Sequence, residues 1–408
     1  MSANARVQQL ASHIAQPSVH TKSPHDVVIV SALRTPITRA RKGGFKDTHP
    51  EELLAAVLKA TIDQTKIDPK LVQDIQVGNV LPPGGGATVA RMAALYAGFP
   101  DTTALATVNR QCSSGLQACA SIAHAIQVGM IDIGIGAGVE SMTLSYGPGA
   151  MPSSTSDKVT AFEPAADCLL PMGITSENVA KQFKIPRTKQ DALAAASHVK
   201  AAKAQREGLF DAEIVPVTIT LEDGTTKVIS KDDGIREGTT PEGLAKLKPA
   251  FSADGCTTAG NASQVSDGAA AVLLARRSVA EKLRLPILGK FVNFAAVGVP
   301  PKIMGVGPAF AIPEALRKAG ISINDVDIFE INEAFASQAV MSIEHLGIPF
   351  EKVNPKGGAI ALGHPLGCTG ARQIATIMPE LKRTGKKIGV LSMCIGSGMG
   401  AAAVVVRE

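Results

Sequence analysis

A reactive side chain at a strand–turn–helix junction is the feature that most constrains how this chain can fold. The apolar run at 104–108 leads into a short turn containing Cys112, and the aliphatic spacing of residues 116–126 predicts a helix directly afterwards. A thiol at a helix start faces free backbone N–H groups and the positive end of the helix dipole. Because both stabilise a thiolate, Cys112 is a candidate nucleophile. The alternative interpretation is a small buried residue that packs a tight turn.

Two further Gly-rich turns carry reactive side chains. Residues 354–372 contain His364, and residues 391–400 contain Cys394, each among several glycines. With Cys112 they supply a nucleophile, a base and a second thiol, which are the groups that covalent catalysis by cysteine needs. Taken alone, His364 has a simpler interpretation as a histidine that caps the turn before Pro365.

The composition predicts an aliphatic core. Hydrophobic residues make up 45% of the 408 residues, but aromatic residues make up only 3% and tryptophan is absent. Small aliphatic side chains packed against glycine favour close-packed α/β layers over an all-β sandwich. The length suggests two or three domains and suffices to bury a core without disulfides or metals.

Charge and cysteine usage argue against several classes of protein. A net charge of +5 is small for this length, and basic patches interleaved with aromatic residues are absent, so nucleic acid is not expected as a partner. The cysteines form no CxxC pair and no histidine lies at ligand spacing to another, so we expect neither a metal site nor a disulfide framework. No apolar run is long enough to span a bilayer. A reducing compartment therefore suits the chain.

The three turns occur together with the tetrapeptide Asn-Glu-Ala-Phe at 332–335, and this combination and order resemble the thiolase family from about residue 26 to the C-terminus. The resemblance implies an α/β fold, the thiolase fold, with two similar βαβαβαββ halves in a five-layered α-β-α-β-α arrangement and an inserted loop domain. A weak internal repeat agrees with two similar halves. The matching segments are 326–332 with the strand ending at Asn79, 353–354 with 108–109, and 388–392 with the strand at Ile131.

The chain is expected to divide where its composition shifts. Glycine, proline and serine cluster at 147–156, charged helical patterns follow at 176–207, and 215–229 predicts a polar hairpin. This middle segment resembles the loop domain of the family, which covers the active site and binds coenzyme A. The expected parts are a leader (1–25), an N-terminal half (26–141 with 266–286), the loop domain (142–265) and a C-terminal half (287–408).

The resemblance assigns a role to each reactive side chain. His364 takes the proton of Cys112, whose thiolate attacks the 3-keto carbon of a 3-ketoacyl-CoA, and Cys394 protonates the departing carbanion to give acetyl-CoA. A second coenzyme A then removes the acyl group from Cys112. Coenzyme A is thus a substrate, and no permanently bound cofactor and no metal are implied.

The resemblance also implies two oxyanion holes, which stabilise charge as it develops. The backbone N–H groups of Cys112 and Gly396 form one, and a Gly-rich turn can aim such groups without side-chain clashes. His364 and a water held by Asn332 form the other. Without the rest of its motif, Asn332 would be interpreted as a strand-end cap or turn residue.

Contacts with coenzyme A and the acyl chain are implied at weaker motifs. Arg236 would approach the nucleotide, although a solvated surface charge is an equally simple interpretation. The side chain of Ser263 would form a hydrogen bond with the pantetheine arm. The remaining residues expected to line the arm or the acyl group are Phe251, Ala259, Met172 and Phe335.

One departure from the family pattern bears on the type of reaction. Members that form acetoacetyl-CoA carry a histidine at the position of Pro171 and assemble as tetramers, so Pro171 favours the degradative branch and a homodimer. We therefore expect an acyltransferase that cleaves 3-ketoacyl-CoA in the last step of fatty-acid β-oxidation. The alternatives are an acetoacetyl-CoA thiolase that performs the biosynthetic Claisen condensation, or a non-catalytic acyl-CoA-binding protein on the same scaffold.

The N-terminal segment suggests a targeting signal. As a helix, residues 6–14 place on one face the side chains of Arg6, Val7, Leu10, His13 and Ile14. The pattern Arg-Val, five residues, His-Ile resembles the N-terminal peroxisomal targeting signal. The expected partner is a peroxisomal import receptor and the expected location is the peroxisome, with the cytosol or mitochondrion as alternatives. A frayed amphipathic leader without function is the simpler interpretation.

Overall fold

The computed structural model describes residues 18–147, 150–221 and 223–408, so the candidate targeting signal at 6–14 lies outside the described residues. The strands are β1 (Val27–Arg34), β2 (Thr38–Arg39), β3 (Asp74–Gly78), β4 (Ala104–Val108), β5 (Ile133–Ser141), β6 (Val217–Thr220), β7 (Thr226–Ile229), β8 (Ser266–Arg276), β9 (Gly289–Gly298), β10 (Ile328–Ile331), β11 (Ile388–Ile395) and β12 (Met399–Arg407).

The α-helices alternate with these strands and are numbered in chain order. They are α1 (Pro50–Thr65), α2 (Ala87–Tyr96), α3 (Ser114–Gln127), α4 (Met142–Ser145), α5 (Asp157–Thr160), α6 (Glu163–Ala166), α7 (Met172–Gln182), α8 (Arg187–Arg206), α9 (Pro241–Ala245), α10 (Arg277–Lys282), α11 (Gly307–Ala319), α12 (Ala336–Leu346), α13 (Ala359–Leu362) and α14 (Leu366–Arg383). Within the described ranges, no helix combines the length and the apolar character needed to cross a membrane.

The strand order confirms the two similar halves. The sheet runs β10-β11-β12-β9-β1-β8-β5-β3-β4, with β2 paired to β8. Outward from the junction of β1 and β9, the order β1-β8-β5-β3 is matched by β9-β12-β11-β10. The directions match as well, because β3 and β5 are parallel as are β10 and β11, while β8 and β12 run antiparallel to both neighbours. Val353 pairs in parallel with Phe329, where β4 stands beside β3 in the other half.

The layers follow from the alternation of side chains along each buried strand, because successive residues face opposite sides of the sheet. On β8, Leu273 faces a core shared with α1 and α2, while its neighbours Val272 and Leu274 face a core shared with α3 and α14. On β12, Ala403 faces that same central core and Val404 faces a third core with α11 and α12. Among the described residues, helices and sheet surfaces therefore stack as α-β-α-β-α, as expected.

The central helices α3 and α14 meet through glycines at their first turns. A Cβ at Gly138 would lie 2.1 Å from the carbonyl oxygen of Gly367, and a Cβ at Gly115 would lie 2.5 Å from the same oxygen. A Cβ at Gly370 would lie 2.2 Å from the backbone nitrogen of Leu116. Such distances exclude any side chain, so backbone packs directly on backbone. This contact brings the turn at Cys112 beside the turn at His364.

Residues between β5 and β8 form the segment expected as the loop domain. Helices α4 to α9 lie there, and β6 pairs antiparallel with β7, as the predicted hairpin requires. The segment is held by a buried ionic cluster of Arg34, Glu213, Asp232 and Lys356. Arg34 binds Glu213 and Asp232 at 2.7 Å each, and Lys356 binds Glu213 at 2.5 Å. The cluster thus ties the inserted segment to both halves.

Replacing Gly138 with alanine should lower the free energy of unfolding by about 1–3 kcal/mol, because the new methyl group meets the Gly367 carbonyl rather than a flexible side chain. Urea unfolding of both proteins at one protein concentration measures the loss. Gly298→Ala is the matched control, since a Cβ at this strand glycine has nothing within 4 Å. Equal loss in the two variants would contradict a role for the helix contact.

Candidate active site

The turn that carries Cys112 lies between β4 and α3. Gln111 has φ +48°, which turns the chain sharply, and the Ser114 hydroxyl donates to the Gln111 carbonyl at 2.6 Å while it accepts from the Arg110 N–H at 2.9 Å. Cys112 therefore stands just ahead of the first residue of α3, as expected from the sequence.

The sulfur of Cys112 is buried and faces backbone donors. The Gly396 turn packs beside the Cys112 turn, since a Cβ at Gly396 would lie 3.9 Å from the Gln111 side chain, and the backbone N–H groups of Gly396 and of Cys112 act on Sγ. Burial raises the pKa of the Cys112 thiol, these N–H groups lower it, and the charge of Glu140 raises it further, so the pKa is raised on balance. The resting group is accordingly a neutral thiol that needs a base before it can attack.

His364 lies at the start of α14 and its ring is held on both sides. Nδ1 is 2.6 Å from the hydroxyl of Thr369, which itself donates to the Pro365 carbonyl at 3.3 Å. When this hydroxyl donates to Pro365 it accepts from the N–H at Nδ1, and that tautomer leaves Nε2 unprotonated and able to act as a base. Burial lowers the pKa of His364 to about 3, with a further contribution from the charge of Arg372.

Asn332 follows β10 and faces the histidine. Its Nδ2 is 3.3 Å from Nε2 of His364, its backbone N–H donates to the Ser392 carbonyl at 2.9 Å, and its carbonyl accepts from Gln338 Nε2 at 2.7 Å. Within the described ranges its buried Oδ1 has no hydrogen-bond partner. The side chain is thus fixed beside His364 with one acceptor still to be satisfied.

Cys394 lies at the end of β11 and is completely buried. It packs with Met304 and Ala334, and the half-buried Met172 and Phe335 lie against this cluster. Burial raises the pKa of the Cys394 thiol, and Cys112 raises it further when ionised, which means that the two cysteines are electrostatic neighbours. The structure therefore brings Cys112, Cys394 and Gly396 together, with His364 and Asn332 joined on the adjoining turns.

Aromatic and apolar residues predicted for the acyl side and the pantetheine arm lie together. The rings of Phe251 and Phe335 meet edge to face, with centroids 6.3 Å apart and an angle of 83°. A Cβ at Gly173 would lie 2.2 Å from the Phe251 ring, so that ring packs on the helix that begins with Met172. The backbone N–H of Ser263 donates to the carbonyl of Ala334, beside Phe335, at 3.0 Å.

The remaining two predicted contacts are on the surface. Ala259 and Arg236 are exposed. The N–H of Arg236 donates to Nδ1 of His198 at 3.1 Å. Burial lowers the pKa of His198 to about 4, and the charge of Arg236 adds to this shift.

Several residues that hold the site were not predicted. Thr369 fixes the His364 tautomer, and the signal for it was a hydroxyl in the first turn of the next helix. Glu333 accepts from Ser197 Oγ at 2.6 Å and from Asn354 Nδ2 at 2.8 Å, which links the segment after β10 to the loop before His364. The sequence shows Glu333 next to Asn332 in the tetrapeptide, but its hydrogen-bond partners are distant in sequence and could not be predicted.

The other cysteines lie outside the catalytic group. All cysteines of the chain are free, Cys119 and Cys368 are buried, and Cys256 contacts the carboxylate of Glu177 at 3.2 Å. Cys168 is half-buried, with its sulfur 3.8 Å from the carbonyl oxygen of Ser397. Across residues 18–147, 150–221 and 223–408, no group of three His, Cys, Asp or Glu side chains could hold a metal ion.

Comparisons with known proteins cover almost the whole chain. Family models described as "Thiolase, N-terminal domain" and "Thiolase, C-terminal domain" match residues 27–278 and 285–407. The chain is 63% identical to 3-ketoacyl-CoA thiolase B, peroxisomal, of Rattus norvegicus, over 94% of this chain and 91% of that one. It is 57% identical to 3-ketoacyl-CoA thiolase, peroxisomal, of Yarrowia lipolytica, over 99% and 100%. The crystal structure of the dimeric peroxisomal thiolase of Saccharomyces cerevisiae is 54% identical and superposes with a TM-score of 0.91, over 96% and 99%.

Replacing His364 with glutamine should make stability less sensitive to acid. The folded-state pKa of His364, about 3, lies below the usual 6.5, so only the unfolded chain binds a proton between these values. Stability from the neutral ring is complete above pH 6.5 and is lost as the pH falls toward 3, by up to about 1.4 kcal/mol per pH unit. Urea unfolding of both proteins at pH 7.5, 6.5 and 5.5 measures this. Parallel curves would contradict the lowered pKa.

Proposed function

Because the chain belongs to the thiolase family, we propose that Cys112, His364 and Cys394 perform the acyl transfer that defines it. The chain is a degradative 3-ketoacyl-CoA thiolase, which cleaves 3-ketoacyl-CoA with coenzyme A to acetyl-CoA and a shortened acyl-CoA at the last step of β-oxidation. The names of its relatives do not favour the acetoacetyl-forming alternative. The presence of all three reactive groups disfavours a non-catalytic scaffold.

The first chemical step creates and uses the nucleophile. Nε2 of His364, the unprotonated ring nitrogen, takes the proton of Cys112, and the resulting thiolate attacks the 3-keto carbon. The carbonyl π electrons move onto oxygen, which becomes an oxyanion. A neutral pair suits this step because the proton is transferred only when substrate is present, and the buried ring readily accepts it as charge develops.

The second step breaks the bond between C2 and C3. The oxyanion reforms the carbonyl, the bonding electrons move to C2, and the thioester carbonyl of the leaving acetyl-CoA delocalises them as an enolate. Cys394 donates its proton to C2, and acetyl-CoA departs while the shortened acyl group stays on Cys112. The buried setting of Cys394 suits an acid that must hold its proton until a carbanion forms beside it.

The third step releases the product. A second coenzyme A enters, the Cys394 thiolate takes the proton of its thiol, and the new thiolate attacks the acyl carbon on Cys112. The Cys112 thiolate leaves and recovers its proton from His364. Each half-reaction restores the group that the other consumed, so the kinetics should be ping-pong.

The observation that carries this proposal is that the Gly396 turn packs against the turn of Cys112, where the N–H groups of Gly396 and Cys112 act on the sulfur and lower its pKa. Backbone N–H groups beside the sulfur can also reach the oxygen of a carbonyl bonded to it, so they suit an oxyanion hole. His364 and Asn332, paired at 3.3 Å, suit the second hole, where Oδ1 of Asn332 can hold a water.

The proposed substrate path lies under the inserted segment, 142–265. Phe251 and Ser263 would line the pantetheine arm, Met172 and Phe335 the acyl group, and Arg236 and Ala259 the outer part of coenzyme A. We infer from the dimeric yeast structure that the chain forms a homodimer. Coenzyme A is its substrate, and acyl-CoA thioesters are its partners.

The relatives named above are peroxisomal, and the chain is assigned to the peroxisome. We propose that residues 6–14 carry the address and that an import receptor binds the face formed by Arg6, Val7, His13 and Ile14. Residues 18–26 reach the folded part by way of Lys290, whose Nζ donates to the Thr21 carbonyl at 2.6 Å. A segment that precedes this anchor can be bound by a receptor without disturbing the fold.

Two cysteine variants should separate the catalytic roles. Cys112→Ser should lower kcat/KM for thiolysis of a long-chain 3-ketoacyl-CoA by on the order of a thousandfold or more. Cys394→Ala should still form acyl-Cys112 from an activated acyl thioester but lose exchange of the acetyl-CoA methyl protons with D2O, followed by NMR. Cys119→Ala, on the same helix as Cys112, is the matched control. Normal thiolysis without the Cys112 sulfur, or normal exchange without Cys394, would refute the respective assignment.

Removal of residues 1–16 should move a fluorescently tagged protein from peroxisomes to the cytosol while thiolysis and unfolding temperature stay unchanged. The microscopy should use cells that lack the endogenous enzyme, because the truncated protein could otherwise be imported as a dimer with an intact copy. Replacement of Val7 and His13 by aspartate and alanine in the full-length chain should have the same effect. Peroxisomal fluorescence in both variants would refute the proposal that residues 6–14 are the targeting signal.

A further inference from the structure

Glu140 is a buried carboxylate that the three catalytic steps do not use. It lies next to the last residue of β5 and has no exposed surface. Oε2 accepts hydrogen bonds from the N–H of Val80 at 3.1 Å and of Gly367 at 2.9 Å, and Oε1 accepts from the N–H of Leu81 at 3.1 Å. One side chain thereby joins two backbone segments that are far apart in sequence.

The segment at 80–81 belongs to the Cys112 side of the site. It follows β3, and the N–H of Asn79 donates to the carbonyl of Val108 at the end of β4 at 3.2 Å. The side chain of Asn109 then donates to the carbonyl of Val80 at 3.2 Å and accepts from the N–H of Gln111 at 2.9 Å. A short chain of hydrogen bonds therefore runs from Glu140 to the residue before Cys112.

Gly367 belongs to the His364 side. It lies in the first turn of α14, three residues after the histidine and two before Thr369, which fixes the imidazole tautomer. A displacement of this N–H would move the helix start that carries both groups. Glu140 thus contacts the framework of the nucleophile and the framework of its base at the same time.

The chemistry of this junction selects a carboxylate. All the groups that face Glu140 here are N–H donors, and an ionised carboxylate only accepts, whereas a glutamine would turn its NH2 toward at least one of them. The first turn of α14 also presents the positive end of its dipole. Burial, with a further contribution from the charge of Asp267, raises the pKa of Glu140 to about 7, whereas the three N–H groups lower it, so the ionised carboxylate predominates above this pH.

We propose that Glu140 is a positioning residue, which fixes the distance between Cys112 and Nε2 of His364 by holding the two backbone segments on one carboxylate. The proposal rests on the proposed function of these two residues. Proton transfer between them requires close alignment, and a shift of about 1 Å in such a pair costs on the order of a hundredfold in rate. Glu140 itself contacts neither the substrate nor the reacting atoms.

The test is single-turnover acylation of Cys112. Wild type and Glu140→Gln are mixed with acetyl-CoA, quenched at intervals, and the acetylated fraction at Cys112 is measured by mass spectrometry. We expect the variant to reach the same final fraction, because its folded sites are intact, but about 10- to 100-fold more slowly. Steady-state thiolysis should show a similar fall in kcat with KM changed less than about threefold.

Controls separate positioning from folding. Glu380→Gln, which alters a buried carboxylate at the other end of α14, should acylate at the wild-type rate. Glu140→Asp keeps the negative charge on a side chain that is one methylene shorter, and it should also slow acylation. This variant provides the test if Glu140→Gln does not fold. A wild-type rate in the Glu140 variants, or a reduced final fraction at an unchanged rate, overturns the proposal. Failure of the wild type to acylate Cys112 would instead overturn the proposed function.

Discussion

The first turns of α3 and α14 touch backbone to backbone, and the catalytic arrangement depends on this contact. Gly115, Gly138 and Gly367 leave no room for a side chain between the helices and the strand beneath them. The helices therefore begin at one point between the two halves of the sheet, and the turns before them carry Cys112 and His364 to the same place. The usual helical separation of 8–10 Å would keep these groups apart. The remaining layers support this geometry by burying both helices from two sides.

Buried charge is placed around the site and kept out of its centre. The cluster of Arg34, Glu213, Asp232 and Lys356 balances opposite charges where the inserted segment meets both halves. Such a cluster adds little net stability but makes misplacement of any member expensive, which favours one docking of the segment. At the centre, the thiol of Cys112 and the ring of His364 both rest neutral. Charge therefore forms only during the reaction, where aligned N–H groups can stabilise it.

Much of the fold and the catalytic group could be predicted from local patterns. The strand–turn–helix pattern predicted the start of α3, apolar runs predicted several strands of the sheet, and the repeated pattern anticipated the matching strand orders of the two halves. Glu140, Thr369 and the Glu213 cluster could not be predicted in the same way. Each acts through partners that are distant in sequence, and a single chain without its fold carries no signal for which donor meets which acceptor.

The sequence by itself determined which chemistry was available: two thiols and an imidazole on Gly-rich turns, because nucleophile, acid and base are properties of residue types. Tertiary structure decided how these groups behave. Burial raised the pKa of both thiols and lowered that of His364, the Thr369 hydroxyl was placed against one ring nitrogen, and the Gly396 turn was packed beside that of Cys112. These are effects of solvent exclusion and of distances between remote segments, and they exist only once the two halves have packed around α3 and α14.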